Sequence, residues 1–176
     1  MAVIVRGPTA AGKSTVISAI EAGCAARRLS CRRVSLDDGW GAEERRSRPG
    51  PASERYRDLS TDEDVVIVEL AWGEPVGGAP GATRAPNEWV DLLRHERQVF
   101  CIRLSGPKAL LVRRRQGRSV GAYGQLEDII HKHVEIEAGT HRFHGVAGLD
   151  ELVIPIDNDR PAADIAGAAL RHIGLA

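Results

Sequence analysis

Apolar residues along this chain fall in short β-branched runs separated by stretches with helical spacing. Ala2-Val3-Ile4-Val5 reads as a strand, and residues 15–28 carry Val16, Ile17, Ile20 and Cys24 on one helical face. Further strands are expected at residues 31–36, 65–70, 99–104 and 152–156, and further helices at 87–97, 107–116, 125–139 and 161–173, the last ending before Gly174. Strands alternating with helices predict an α/β fold, with a parallel sheet covered on both faces and ligands gathered at the carboxyl ends of the strands. Pro155 has no N–H to give a ladder, so the fifth strand belongs at an edge. Residues 39–62, charged and rich in arginine, and residues 73–86, rich in glycine and proline, lack periodicity. Both follow strand ends, where acceptor loops would lie.

The length of 176 residues, 43% of them hydrophobic, suits one domain covering residues 1–176. With 24 basic and 24 acidic residues the formal charge is zero, so no global field draws the protein to nucleic acid or to an acidic membrane. Cys24, Cys31 and Cys101 show no C-x-x-C spacing and read as buried thiols of a reducing compartment. The stretch from Val65 to Trp72 is the longest apolar one and is broken by Glu69. The chain also enters its first strand without a basic and apolar leader, so a cytoplasmic, soluble protein is expected.

The chemistry is concentrated in Gly7-Pro8-Thr9-Ala10-Ala11-Gly12-Lys13-Ser14, which has the pattern G-x-x-x-x-G-K-[ST]. This chain's own residue frequencies would produce about 0.003 such matches by chance. The glycines let successive N–H groups turn inward toward phosphate oxygens, and the helix that follows adds the positive end of its dipole. In such a cradle Lys13 reaches the β- and γ-phosphates, and Ser14 binds Mg²⁺ through its hydroxyl, with Thr15 beside it. The pattern sits between a predicted strand and a predicted helix, as the motif requires.

The remaining strand ends narrow the class. A GTPase would carry D-x-x-G after the third strand and N-K-x-D after another, whereas here the third strand runs into Glu69-Leu70-Ala71-Trp72 and N-K-x-D does not occur. A motor ATPase would end that strand in Asp-Glu, and here a lone Glu69 stands. Asp37 and Asp38 follow the second strand and are candidates for orienting an acceptor hydroxyl, or for capping the turn at Gly39. Glu69 could face Mg²⁺ through water, contact the acceptor, or pair with an arginine. Four arginines occupy residues 113–118, more than capping a helix end requires. Asp157-Asn158-Asp159 reads as the cap of the last helix. Residues His131, His133, His141 and His144 have no convincing Cys or acidic partner for zinc. Trp40, Trp72 and Trp89 lie in or beside the two aperiodic stretches and suit either an acceptor wall or core packing.

Four segments together resemble the small P-loop phosphotransferases, a group that includes gluconate, shikimate and nucleotide kinases, with chloramphenicol phosphotransferase closest in size and layout. They are residues 7–14, Val34-Ser35-Leu36-Asp37-Asp38, residues 113–118, and Ile154-Pro155-Ile156-Asp157-Asn158. The resemblance implies a three-layer P-loop kinase fold with five parallel strands in the order 2-3-1-4-5, and a lid over about residues 113–124. It implies Asp37 as catalytic base, with Asp38, Glu69 and Trp72 toward the acceptor. An arginine of the lid, Arg115 or Arg118 with Arg114 behind them, would stabilise the transferred phosphoryl group, Arg114 also counting among the ATP-binding residues, and Asp157 and Asn158 would border the adenine of ATP. Glu69 stands where the family more often has Asp.

The expected activity is an ATP- and Mg²⁺-dependent kinase acting on a hydroxyl of a small molecule, such as an antibiotic, another natural product or a metabolite. A nucleoside, a nucleotide or a polynucleotide 5′-hydroxyl is the alternative acceptor. Arg45, Arg46, Arg48, Arg55 and Arg57 could serve a polynucleotide, but they are interleaved with Glu43, Glu44, Glu54 and Asp58. Alternatives of another class are a nucleotide-binding regulatory module and a simple ATPase.

Overall fold

A computed structural model describes residues 1–7, 10–35, 59, 61–70, 93–116, 151–157 and 160–176. Eight elements follow in chain order: β1 (Ala2–Arg6), α1 (Lys13–Ala26), β2 (Cys31–Ser35), β3 (Val65–Leu70), β4 (Val99–Ser105), α2 (Lys108–Gln116), β5 (Glu151–Pro155) and α3 (Ala162–His172). Residues 93–96 are also helical. The five strands form one parallel sheet in the order β2-β3-β1-β4-β5, as expected. β5 is an edge strand and closes on Pro155, so the proline's missing N–H costs no interior ladder bond.

Side chains alternate between the two faces of the sheet with period two and build two apolar clusters. Val3, Val5, Val65, Ile67, Ile102 and Leu104 face α1 and α3, whose Val16, Ile17, Ile20, Cys24, Ile165 and Ala169 complete that cluster with Leu110 and Leu111 of α2. Ala2, Ile4, Val66, Val68 and Cys101 form the opposite face and are covered by Leu59 and Leu93, both in helical conformation. β1, central and fully buried along its length, runs straight into the phosphate motif.

Three boundaries depart from the apolar pattern for one physical reason. β1 extends through Arg6, β4 through Ser105, and β5 begins at Glu151, because ladder bonding continues past the last apolar residue wherever the polar side chain finds a partner or solvent. α1 begins at Lys13, two residues before the apolar period does. The predicted helix at 125–139, the stretch at 73–86 and residues 39–58 lie outside the described residues.

At the amino ends of the strands, far from the phosphate motif, Met1 donates its ammonium to the Asp64 carbonyl at 2.6 Å, and Arg97 donates to the Glu63 carbonyl at 2.5 Å. The Asp64 carboxylate accepts from the Ser30 N–H and hydroxyl, both at 2.8 Å, and these bonds lower its pKa. A recess of about 720 Å³ lies here between Met1, Asp64, Glu96 and Arg97. No helix among the described residues is long and apolar enough to cross a membrane.

Candidate active site

The phosphate motif begins where β1 leaves the sheet. Gly7 has φ of 151°, and a Cβ built on it would lie 2.7 Å from the Leu104 carbonyl oxygen of β4, so the loop leaves against β4 backbone with no room for a side chain. Gly7→Ala is therefore expected to destabilise the fold by about 2–4 kcal/mol, through overpacking plus backbone strain. An unchanged urea midpoint for that variant would contradict this packing.

The turn continues through Ala10, in the left-handed region at φ 68°, to Gly12 at φ 94°, which is the N-cap of α1. Gly12 has no side chain with which to cap this helix start, and no acidic residue lies in its first turn. The leading amides of a helix have no partner within it, and its dipole places partial positive charge there, so this end is electrostatically set for an anion. Lys13, the first residue of α1, is 9% exposed, and its Nζ donates to the Gly7 carbonyl at 3.0 Å. The ammonium is thus folded back across the mouth of the loop. Ser14 and Thr15 are exposed on the same turn, and Ala11 is buried beneath it.

Glu69 takes the third of its expected options: its Oε2 accepts from the guanidinium of Arg33, on β2. A carboxylate has about four acceptor positions, so one arginine does not exhaust it. In the ladder Glu69 lies beside Val5, two residues short of Gly7, which places it one strand from the loop's origin.

At the β5 edge of the sheet, α2 and the turn after β5 come together. Arg114 donates from Nη2 to the Asp157 carbonyl at 3.3 Å, joining the arginine-rich segment to the turn expected to border adenine. The expected capping role of Asp157 is corrected here. Pro161 is the N-cap of α3, with no side-chain cap, and Asp157 Oδ1 accepts instead from the Arg160 N–H at 2.6 Å. Proline's fixed φ suits a helix entrance, and the short carboxylate closes its own turn three residues on. Arg115 belongs to the last turn of α2. Pro8, Thr9, Asp37, Asp38, Trp72, Arg118 and Asn158 lie outside the described residues.

One group near the loop carries no local sequence signal. Arg6, directly before Gly7, is 8% exposed and donates from Nε to Glu151 Oε1 at 2.6 Å, with Nη2 at 2.5 Å from the same oxygen. The Cys101 thiol donates to that oxygen at 3.4 Å, while Arg103 Nε lies 3.4 Å from Oε2 as a charge contact without a well-formed hydrogen bond. Burial, reinforced by the Glu151 charge, pushes the Cys101 thiol up to about 12, so it stays protonated. A charged pair 145 residues apart leaves no periodicity to read.

Comparison with solved structures places this arrangement. A sugar kinase from Janibacter sp. HTCC2649, unliganded, superposes with a TM-score of 0.58 at 17% identity, covering 99% of this chain and 95% of that one. Shikimate kinase from Acinetobacter baumannii, in complex with shikimate, gives 0.52 at 17% identity over 98% and 92%. An uncharacterised protein from Eubacterium ventriosum ATCC 27560 gives 0.52 at 11% identity over 99% and 98%. The fold is that of the P-loop kinases. At these identities the likeness is one of architecture, and no protein-family model and no curated sequence matches the chain. In this P-loop kinase fold the phosphate motif occupies the crevice end of the central strand, where open α/β sheets bind ligands.

Proposed function

We propose that the chain is an ATP- and Mg²⁺-dependent kinase that transfers the γ-phosphate to a hydroxyl of a small molecule. The observation that carries this reading is the start of α1, uncapped and without an acidic side chain, with the Lys13 ammonium held over it at Gly7. That arrangement offers backbone donors and one mobile cation to a polyphosphate. The structural neighbours titled as kinases name a sugar and shikimate, both polyhydroxylated small molecules, which favours a small alcohol over a polynucleotide. The likeness to chloramphenicol phosphotransferase rests on the sequence segments alone and makes phenicols one acceptor class to test.

In this reading the backbone N–H groups of the loop, all but that missing at Pro8, bind and orient the phosphates, and Lys13 exchanges the Gly7 carbonyl for phosphate oxygens. Arg114 and the turn at Asp157 and Asn158 border the base, and Arg115 or Arg118 meets charge developing on the transferred group. Asp37 orients the acceptor O–H and takes its proton, with Asp38 and Trp72 beside it. Ser14, exposed on the first turn, has the hard oxygen donor that Mg²⁺ prefers, and Glu69 supplies a carboxylate within one strand of the loop. When bound, Mg²⁺ neutralises charge on the β- and γ-phosphates.

Two variants separate the metal role of Glu69 from its ion pair. Glu69→Ala is expected to raise the Mg²⁺ concentration for half-maximal transfer about 10–100-fold, as loss of one outer-shell partner does, while Arg33→Ala leaves it unchanged. Equal effects of both would mean that the pair is structural only. The function itself is tested by incubating the protein with γ-labelled ATP and a panel of sugars, phenicols, aminoglycosides, nucleosides and a 5′-hydroxyl oligonucleotide. Label is expected on a small-molecule hydroxyl. Release of label to water alone would support an ATPase, and transfer to the oligonucleotide with steep salt dependence would support a polynucleotide kinase.

A further inference from the structure

We propose that the pair formed by buried Arg6 and half-buried Glu151 is a positioning device for the phosphate loop, acting through Gly7 on Lys13; the inference rests on the kinase reading above. Central strands of parallel sheets are ordinarily apolar, and a guanidinium at 8% exposure in β1 stands out against that expectation. A buried charge has to be paired, and Arg6 reaches across the whole width of β4 to find its partner on β5. Glu151 is held in turn by the Cys101 thiol and the charge of Arg103, so the anchor spans three strands.

Stability alone does not call for such a pair. Exchanging an ion pair shielded from water for apolar side chains of similar volume is often neutral or stabilising, so apolar residues at both positions 6 and 151 would serve the fold as well. What an apolar residue would not supply is directional fixation of the backbone immediately before Gly7. Gly7 is restrained from its other side, where the missing Cβ leaves 2.7 Å to the Leu104 carbonyl oxygen. The Gly7 carbonyl, fixed by these two restraints, is the group that receives Lys13 Nζ at 3.0 Å. Glu151, Arg6, Gly7 and Lys13 therefore form one continuous chain from an edge strand to the cation of the phosphate cradle. The Arg6 charge is matched by Glu151 on the sheet face away from α1, so Arg6 acts through the loop and does not itself touch phosphate.

The test is the double variant Arg6→Met/Glu151→Met, in which both charges of the pair are removed together and Arg103, 41% exposed, turns to solvent. MgATP affinity is read by calorimetry and loop order by amide hydrogen exchange in the free protein. The thermal midpoint is expected to hold within a few degrees, with MgATP dissociation constant raised about tenfold, since misplacement by about 1 Å is worth as much as 10²-fold. Exchange is expected to quicken in the peptide covering residues 7–16 and to stay at the wild-type rate in β4 and β5. Arg6→Lys, which keeps a cation toward Glu151, is expected to recover part of the affinity. A folded double variant with wild-type affinity and wild-type exchange at residues 7–16 overturns the inference and leaves the kinase reading intact. So does a loss of affinity that tracks only the unfolded fraction, whether in the double variant or, should that variant not fold, in Arg6→Lys. A wild-type protein without MgATP affinity overturns the kinase reading first and this inference with it.

Discussion

Replacing Lys13 with alanine is expected to lower phosphoryl transfer by about 10³-fold, in the range found when a single charge-stabilising donor is removed from a preorganised site. The effect is large because the ammonium sits at the first residue of α1, 9% exposed, where water screens it poorly. Held at the Gly7 carbonyl in the free protein, it needs only side-chain rotation to meet a phosphate oxygen. The fold has little reason to change, since alanine favours the helix and the variant no longer desolvates a charge. Transfer of label from ATP, compared at equal folded concentration, gives the ratio. A loss of less than threefold would take Lys13 out of the chemistry and return it to a structural role at Gly7.

Converting Asp37 to asparagine is expected to leave ATP bound while slowing transfer by about 10²–10⁴-fold, the span typical of a lost general base. Asp37 follows β2 in the sequence, and β2 runs parallel to β1 beyond β3, so the described ends of both strands point the same way. Asparagine keeps the shape and can still accept a hydrogen bond, but it cannot take the acceptor's proton. The variant therefore separates orientation from proton transfer. Unchanged nucleotide affinity with a fallen turnover number is the expected split. Full turnover would remove Asp37 from the mechanism and turn attention to Asp38.

The parts of this architecture that follow from local rules were readable along the chain. Apolar and β-branched stretches between helical ones marked the strands of the sheet, most plainly β1 and β3, Pro155 marked the edge, and two glycines with a lysine and a serine marked the loop. The strand order itself came with the family resemblance, since local pattern says which segments pair with the sheet but not in which sequence across it. Contacts between distant segments were not readable. Arg6 and Glu151 are 145 residues apart, and each alone looks like a strand boundary, because a charge appears out of place until its partner is known. The Arg33–Glu69 pair was anticipated only as one of several fates for Glu69, for the same reason. At the start of α3, of the Asp157-Asn158-Asp159 run expected to cap the helix only Asp157 lies within the described residues, and the N-cap is Pro161. The chain instead uses the proline's fixed backbone and spends the Asp157 carboxylate on the Arg160 amide.

The claim beneath all of these assignments is that residues 7–14 hold a nucleoside triphosphate through backbone amides and Lys13. Calorimetric titration of MgATP into the wild-type protein and into Lys13→Ala measures it most directly. The account predicts a saturable heat with one nucleotide per chain for the wild type and its loss in the variant. No heat beyond dilution in the wild type, or the same isotherm for both proteins, would contradict it.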